Sequence, residues 1–174
     1  MLLQRDQGFG ERLSGAVEDL LSAGYGAVCL VDSDSPNLPL TLFDAMVTKL
    51  FESQDSVVVG PCTDGGYYGI GLRRLHRRLF EGIARSTDQV YHETLQRAAE
   101  LDLRVVTLPG WYDVDDQASL QQLLVHLFEA PATHGTGGLL VRPASATKAF
   151  LQRILETEGR NRIWSKRLAT SAAA

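Results

Sequence analysis

Residues 26–39 read GAVCLVDSDSPNLP, and this stretch decides the fold. Five apolar residues, 27–31, run straight into the carboxylates Asp32 and Asp34 and then into a Ser-Pro turn. A continuous apolar run suits a strand covered on both faces, as parallel strands are in layered α/β folds. The run therefore delivers a pair of acids at the carboxyl end of a buried strand. The design recurs twice: VVVGPCTDGGYYGIGL (57–72) carries Asp64, and LPGWYDVDD (108–116) carries Asp113, Asp115 and Asp116. Open α/β sheets bind ligands beyond the carboxyl ends of their strands, so three such loops point to one divalent-metal site.

Between these loops the spacing turns helical. Phe9, Leu13, Ala16, Val17, Leu20 and Leu21 form one apolar stripe, stopped at Gly24 where a left-handed cap is wanted. Leu42, Phe43, Met46, Val47, Leu50 and Phe51 form a second. Ser86 and Gln89 stand at capping-box spacing before a third, through Val90, Tyr91, Leu95 and Ala98. A fourth runs through Leu120, Leu123, Leu124, Leu127 and Phe128, with Asp115 or Asp116 placed to cap it. Strands are expected at 57–59, at 67–72 and at 104–108, the second interrupted by glycines. The alternation predicts a three-layer α/β/α sandwich with a mostly parallel sheet. One domain is expected over 1–130, followed over 131–174 by a linker (131–138), a terminal helix (145–156) and a frayed alanine-rich tail.

Composition sets further bounds. The chain has 174 residues, 44% hydrophobic and 22% charged, enough for a core of its own, and its net charge of −4 offers no broad cationic face to a nucleic acid. Cys29 and Cys62 make no CxxC pair and read as buried reduced thiols, which fits a cytoplasmic address. The opening MLLQRDQ has no signal-like apolar core, and no run approaches the ~20 residues of a membrane helix. The four histidines lack zinc spacing, and GxSxG, Walker and strand-linked GxGxxG motifs are absent. RRLHRR (73–78) reads as a solvated basic face.

The remaining chemistry is carboxylate chemistry. Mg²⁺ or Mn²⁺ prefers hard oxygen ligands and is commonly held by one or two carboxylates plus substrate phosphates, which Asp34 with Asp113 or Asp115 would supply. An ion so placed bridges a diphosphate and needs no protein nucleophile. Asp64 with Gly65 and Gly66 combines a carboxylate with two residues able to bring backbone N–H groups close to a hydroxyl or phosphate. Tyr67 or Tyr68 could stack on a substrate ring, but not both, since alternate strand residues face opposite ways. Trp111 is open to the same reading, and Asp116 reads as a cap rather than a ligand.

DSDSPNLP, GPCTDGGYYGIGL, LFEGIARST (79–87) and DVDD, in this order over about residues 4–127, resemble the DUF2064 family of bacterial glycosyltransferase-A-like transferases. The resemblance implies a nucleotide-diphospho-sugar transferase (GT-A) like fold with Asp34, Asp113 and Asp115 as metal ligands. It places the sugar or acceptor at Ser35, Asp64, Gly65, Gly66 and Tyr67, with Asp34 and Asp64 catalytic. Asp32, Asn37, Arg85 and Asp116 depart from the family pattern, which has glycine, threonine, tryptophan and threonine there. The strand and Lys/Arg-containing Pro-Gly loop that open family members are expected to be lacking, making the fold N-terminally truncated. The expected reaction is metal-dependent glycosyl transfer from a nucleotide sugar to a small-molecule acceptor. Nucleotidyl transfer with pyrophosphate release is the alternative, and a non-catalytic remnant acting as a binding module is a third reading. Self-association through uncovered sheet surface is expected as well.

Overall fold

The computed structural model describes residues 8–52, 55–84, 87–129 and 141–164. The chain divides into two compact units, Met1–Ser33 with Thr41–Tyr112, and Asp34–Leu40 with Asp113–Ala174. The first unit contains the sheet: β1 (Val28–Val31), β2 (Ser56–Pro61), β3 (Tyr67–Leu72) and β4 (Arg104–Thr107), in the order β1-β3-β2-β4. Helix α1 (Phe9–Ser22) precedes β1, α2 (Leu40–Glu52) lies between β1 and β2, and α3 (Val90–Glu100) lies between β3 and β4. All follow the apolar spacing of the sequence. Ser86, the expected capping residue of α3, lies outside the described residues, and Gln89 occupies the N-cap position without a side-chain bond to the helix start.

Two faces of the sheet are covered by different means. On one face Ile70 and Leu72 of β3, with Val57 and Val59 of β2, meet Val17 of α1, Ala98 of α3 and the buried Leu79 and Phe80. On the other, β3 has no side chain at Gly69 or Gly71. A Cβ there would stand 2.7 Å from Met46 Cε or 2.8 Å from Leu50 Cδ1, so these glycines let α2 settle directly on the backbone. The three layers expected from the sequence are therefore present.

The pairing needs correction. A mostly parallel sheet is expected, yet β3 pairs antiparallel with both β1 and β2, and only β2 with β4 is parallel. The physical reason is connection length: β2 returns into β3 through the tight turn 62–66, which permits only an antiparallel neighbour. Strand direction is preserved all the same, since β1, β2 and β4 all run one way. Their carboxyl ends, followed by Asp32, Asp64 and the 108–116 loop, lie along one side of the sheet.

A second correction concerns Cys29. Expected inside, it is exposed: among the described residues β1 pairs on one side only, with β3, and only Val28 of its four residues is fully buried. Cys62 is buried as expected.

The second unit holds α4 (Gln117–Leu124), which runs on into a π-helical turn (Val125–Glu129), and α5 (Ser145–Glu158). The Gln121 amide donates to the Ile163 carbonyl, and the Lys148 ammonium lies 5.3 Å from the Phe128 ring centre. The expected linker at 131–138 and the tail after Leu168 lie outside the described residues. No helix among the described residues is long and apolar enough to cross a membrane.

Replacing Leu50 by alanine removes the side chain that fills the space over Gly71, and a loss of about 2–5 kcal/mol is expected in urea unfolding. Thr48→Ala, on the exposed side of the same helix, should change stability by no more than about 0.5 kcal/mol.

Candidate active site

The acidic loops are held by backbone bonds that continue the sheet. The Asp32 N–H donates to the Tyr68 carbonyl at 3.1 Å, fixing the end of β1 to β3. Beyond β2, Cys62 bridges to Trp111 in parallel fashion, and the Thr63 N–H donates to the Trp111 carbonyl at 3.0 Å. The 62–66 loop is thereby tied to the loop that follows β4.

Within the 62–66 loop each residue has a definable task. The Cys62 N–H donates to the Gly66 carbonyl at 3.0 Å, and Asp64 Oδ1 accepts the Gly66 N–H at 2.8 Å. Gly65 has φ +93°, and a Cβ on it would stand 2.1 Å from the Asp88 carbonyl oxygen. The close approach that Gly65 permits is thus to the chain's own backbone, reinforced by the Tyr91 N–H donating to the Gly65 carbonyl at 2.8 Å.

The aromatic residues divide. The register slips between Gly60 and Pro61, so that Gly60 faces Gly69 while Pro61 faces Tyr67, with Tyr68 bulged between. Tyr68 is buried across the bare face of Gly60, and its hydroxyl donates to the Pro109 carbonyl at 3.1 Å. Burial raises its phenol far above the ordinary 10, with a smaller contribution from Cys62. Tyr67 is half-buried against the α1/α3 side of the core. Trp111 is fully buried and stacked on Tyr112, ring centres 5.4 Å apart, which makes it a core residue.

In the second unit, Asp34 and the DVDD stretch come together. The Val114 N–H donates to the Asp34 carbonyl at 3.0 Å, which sets residue 34 beside the backbone between Asp113 and Asp115. Carboxylate oxygens of Asp113 and Asp115 lie within 4.8 Å of each other, and the Asp34 carboxylate does not come that close to both. Ser35 closes a turn by accepting the Leu38 N–H at 3.1 Å. Asp116 caps α4: its Oδ1 accepts the Ser119 N–H at 2.8 Å and the Ser119 hydroxyl at 2.9 Å. The Ser119 backbone bond, with the hydroxyl second, holds the Asp116 carboxyl below its ordinary range.

Two residue pairs have no counterpart in the sequence reading. Asp32 has a carboxylate oxygen within 4.8 Å of Cys62 Sγ. Buried Asn37 meets His126 of the π turn, Nδ2 to Nδ1 3.2 Å, while its carbonyl accepts the Arg142 N–H. Burial lowers the His126 imidazole below its ordinary 6.5, which keeps it neutral against the amide. Nothing in sequence spacing links 37 with 126. The basic run at 73–78 is tied up in pairs: Arg74 with Asp55, Arg77 with Glu18 and Arg78 with Glu100.

Both fold and chain can be placed among known proteins. The structure is similar to the crystal structure of a "putative nucleotide-diphospho-sugar transferase" from Desulfovibrio desulfuricans G20, at 28% identity and a TM-score of 0.70, over 91% of this chain and 64% of that one. The fold is accordingly GT-A-like, and the chain spans just under two thirds of that protein's length. Residues 1–87 match the family described as "Uncharacterized protein conserved in bacteria (DUF2064)", and the chain belongs to it. No curated protein matches.

Gly65→Ala should lower stability by more than the roughly 1–3 kcal/mol of a strained φ, because the Asp88 backbone leaves the methyl no room. Gly66→Ala, whose Cβ would meet only the Asp64 carboxylate, at 3.1 Å, should cost visibly less in the same urea titration.

Asp116→Ala should lower Tm near neutral pH, and Asp116→Asn should nearly preserve it, since asparagine caps about as well as aspartate. The folded carboxyl lies below the ordinary 3.8, so its contribution is present above that value and lost as pH falls through the lower folded one. The Tm gap between wild type and Asp116→Ala should therefore close on acidification below 3.8.

Proposed function

We propose that this chain acts in metal-dependent transfer of a glycosyl group from a nucleotide-diphosphate sugar to a small-molecule acceptor. The observation that carries the reading is the direction of the strands: β1, β2 and β4 share one sense, so the three acidic loops follow strand ends on one side of a GT-A-like sheet. Asp113 and Asp115 suit a hard cation, because two carboxylates within 4.8 Å need little adjustment to ligate one ion at about 2.1 Å each. Mg²⁺ or Mn²⁺, when bound, would neutralise charge on a donor diphosphate.

The chain's own residues take the remaining roles. Asp34, its carbonyl bonded to the Val114 N–H, would reach the ion held by Asp113 and Asp115 by turning its side chain toward them, and is the first catalytic residue of this reading. Asp64 has one oxygen committed to its own loop, leaving the other to orient an acceptor hydroxyl. The resemblance in sequence assigns substrate contacts to Ser35, Gly65, Gly66 and Tyr67 as well. Asp116 stays outside the chemistry, since its oxygen is engaged at the helix start.

Isothermal titration of UDP- and GDP-sugars is expected to show binding that requires Mn²⁺ and disappears with EDTA. Asp34→Asn and Asp115→Asn should each weaken it by about tenfold or more, as loss of a ligand charge does, with far-UV circular dichroism unchanged. Asp116→Asn should bind as wild type. Binding indifferent to Mn²⁺ overturns the reading, and pyrophosphate release from a nucleoside triphosphate would reassign the site to nucleotidyl transfer.

A further inference from the structure

The segment Asp34–Leu40 follows β1 in sequence but folds as part of the second unit. The Val114 N–H donates to the Asp34 carbonyl at 3.0 Å, and the Arg142 N–H donates to the Asn37 carbonyl at 3.2 Å. Both are backbone bonds, open to almost any side chain. A further bond joins side chains, Asn37 Nδ2 to His126 Nδ1 at 3.2 Å, and so depends on which residues stand at 37 and 126.

Burial gives that bond its weight. Asn37 is fully enclosed, with Leu38 and Pro39 beside it also buried, and an amide taken out of water needs partners within the protein. A donated N–H requires an unprotonated nitrogen at Nδ1, which places the proton of the neutral ring on Nε2. Burial favours that neutral ring. The helix adapts as well: α4 gives way at Val125–Glu129 to a π turn, an arrangement found mostly as a single turn and often at functional sites. There Leu127 is in the core while His126 meets Asn37.

The link bears on Asp34 because both ends belong to one short turn. Asp34 and Asn37 are three residues apart, and the Leu38 N–H donating to the Ser35 carbonyl at 3.1 Å closes the turn across Pro36 and Asn37. Pro36 stiffens it by fixing its own φ. A shift of the Asn37 amide therefore carries Asp34 with it, and the Asp34 carboxylate has to turn toward Asp113 and Asp115 to share an ion with them. We propose that Asn37 and His126 are positioning residues for the metal site: their side-chain bond sets the turn from which Asp34 reaches the ion held by Asp113 and Asp115. Their role rests on the reading above, in which the three carboxylates serve one ion.

Mn²⁺ alone is the probe, its binding to the full chain followed at neutral pH by the electron paramagnetic resonance of the free ion. His126→Leu, which removes the acceptor, should weaken binding by roughly tenfold, the scale on which residues supporting metal ligands act. His126→Asn, which can return an oxygen to the place of Nδ1, should restore most of the affinity. A cycle with Asp34→Asn separates positioning from a general loosening: once that ligand is gone, His126→Leu should have almost no further effect. Asn37→Ala, which removes the donor, should behave as His126→Leu does, and circular dichroism with Tm checks the fold of each. In the unaltered chain, nitrogen-15 spectra of the imidazole should show Nδ1 as an unprotonated acceptor and the proton on Nε2. Additive effects of the 34 and 126 substitutions overturn the proposal and leave the metal reading in place, as does full affinity in His126→Leu or a proton on Nδ1. Binding unaffected by Asp34→Asn overturns the metal reading itself, and the positioning role with it.

Discussion

The antiparallel insertion of β3 between β1 and β2 is the constraint on which the rest of the fold depends. Because a five-residue turn joins β2 to β3, β3 must reverse, and the strands on either side of it then run in one common direction. The acidic loops inherit that direction. The same strand supplies the bare face at Gly69 and Gly71 that lets α2 approach, and side chains there would push Met46 and Leu50 off the sheet. One strand thus orients the loops and seats the helix between two of them.

Within the loops, carboxylates that build structure are distinct from those that do not. Asp116 is engaged by Ser119, and one oxygen of Asp64 holds the Gly66 N–H. Asp34 enters its loop's scaffold through a backbone carbonyl, which leaves its side chain out of that bond. Tyr68 and Trp111, either of which could have stacked on a ligand, instead fill the space where β2, β3 and the loop after β4 meet. The aromatic mass packs at the base of the 62–66 loop.

Much of this was legible in the sequence, and the parts that were not share a cause. Helix spans and strand positions follow from apolar periodicity, which reports one element at a time. Pairing direction depends on which elements become neighbours, and a continuous apolar run looks alike in a parallel centre and at a mixed sheet's edge. Cys29 differs from the expectation for that reason: the VCLV run matches a strand covered on both faces, and nothing in it says that, among the described residues, β1 pairs on one side only. The glycines at 69 and 71 were visible as close-approach positions, though what approaches is the chain's own α2. The Asn37–His126 link is invisible to spacing, since it joins a turn to a π segment 89 residues on.

The Asp113/Asp115 pair shows why geometry and charge have to be weighed together. Two carboxylates whose oxygens lie within 4.8 Å of each other repel by about 1 kcal/mol in a water-like medium and by more as the surroundings become less polar. A structural purpose would call for a partner such as the helix start that engages Asp116, and α4 has that cap one residue further on. Asp115 joins that helix start through its backbone alone, its N–H donating to the Ser119 hydroxyl at 3.1 Å. A divalent cation between the two carboxylates would replace that repulsion with attraction to both.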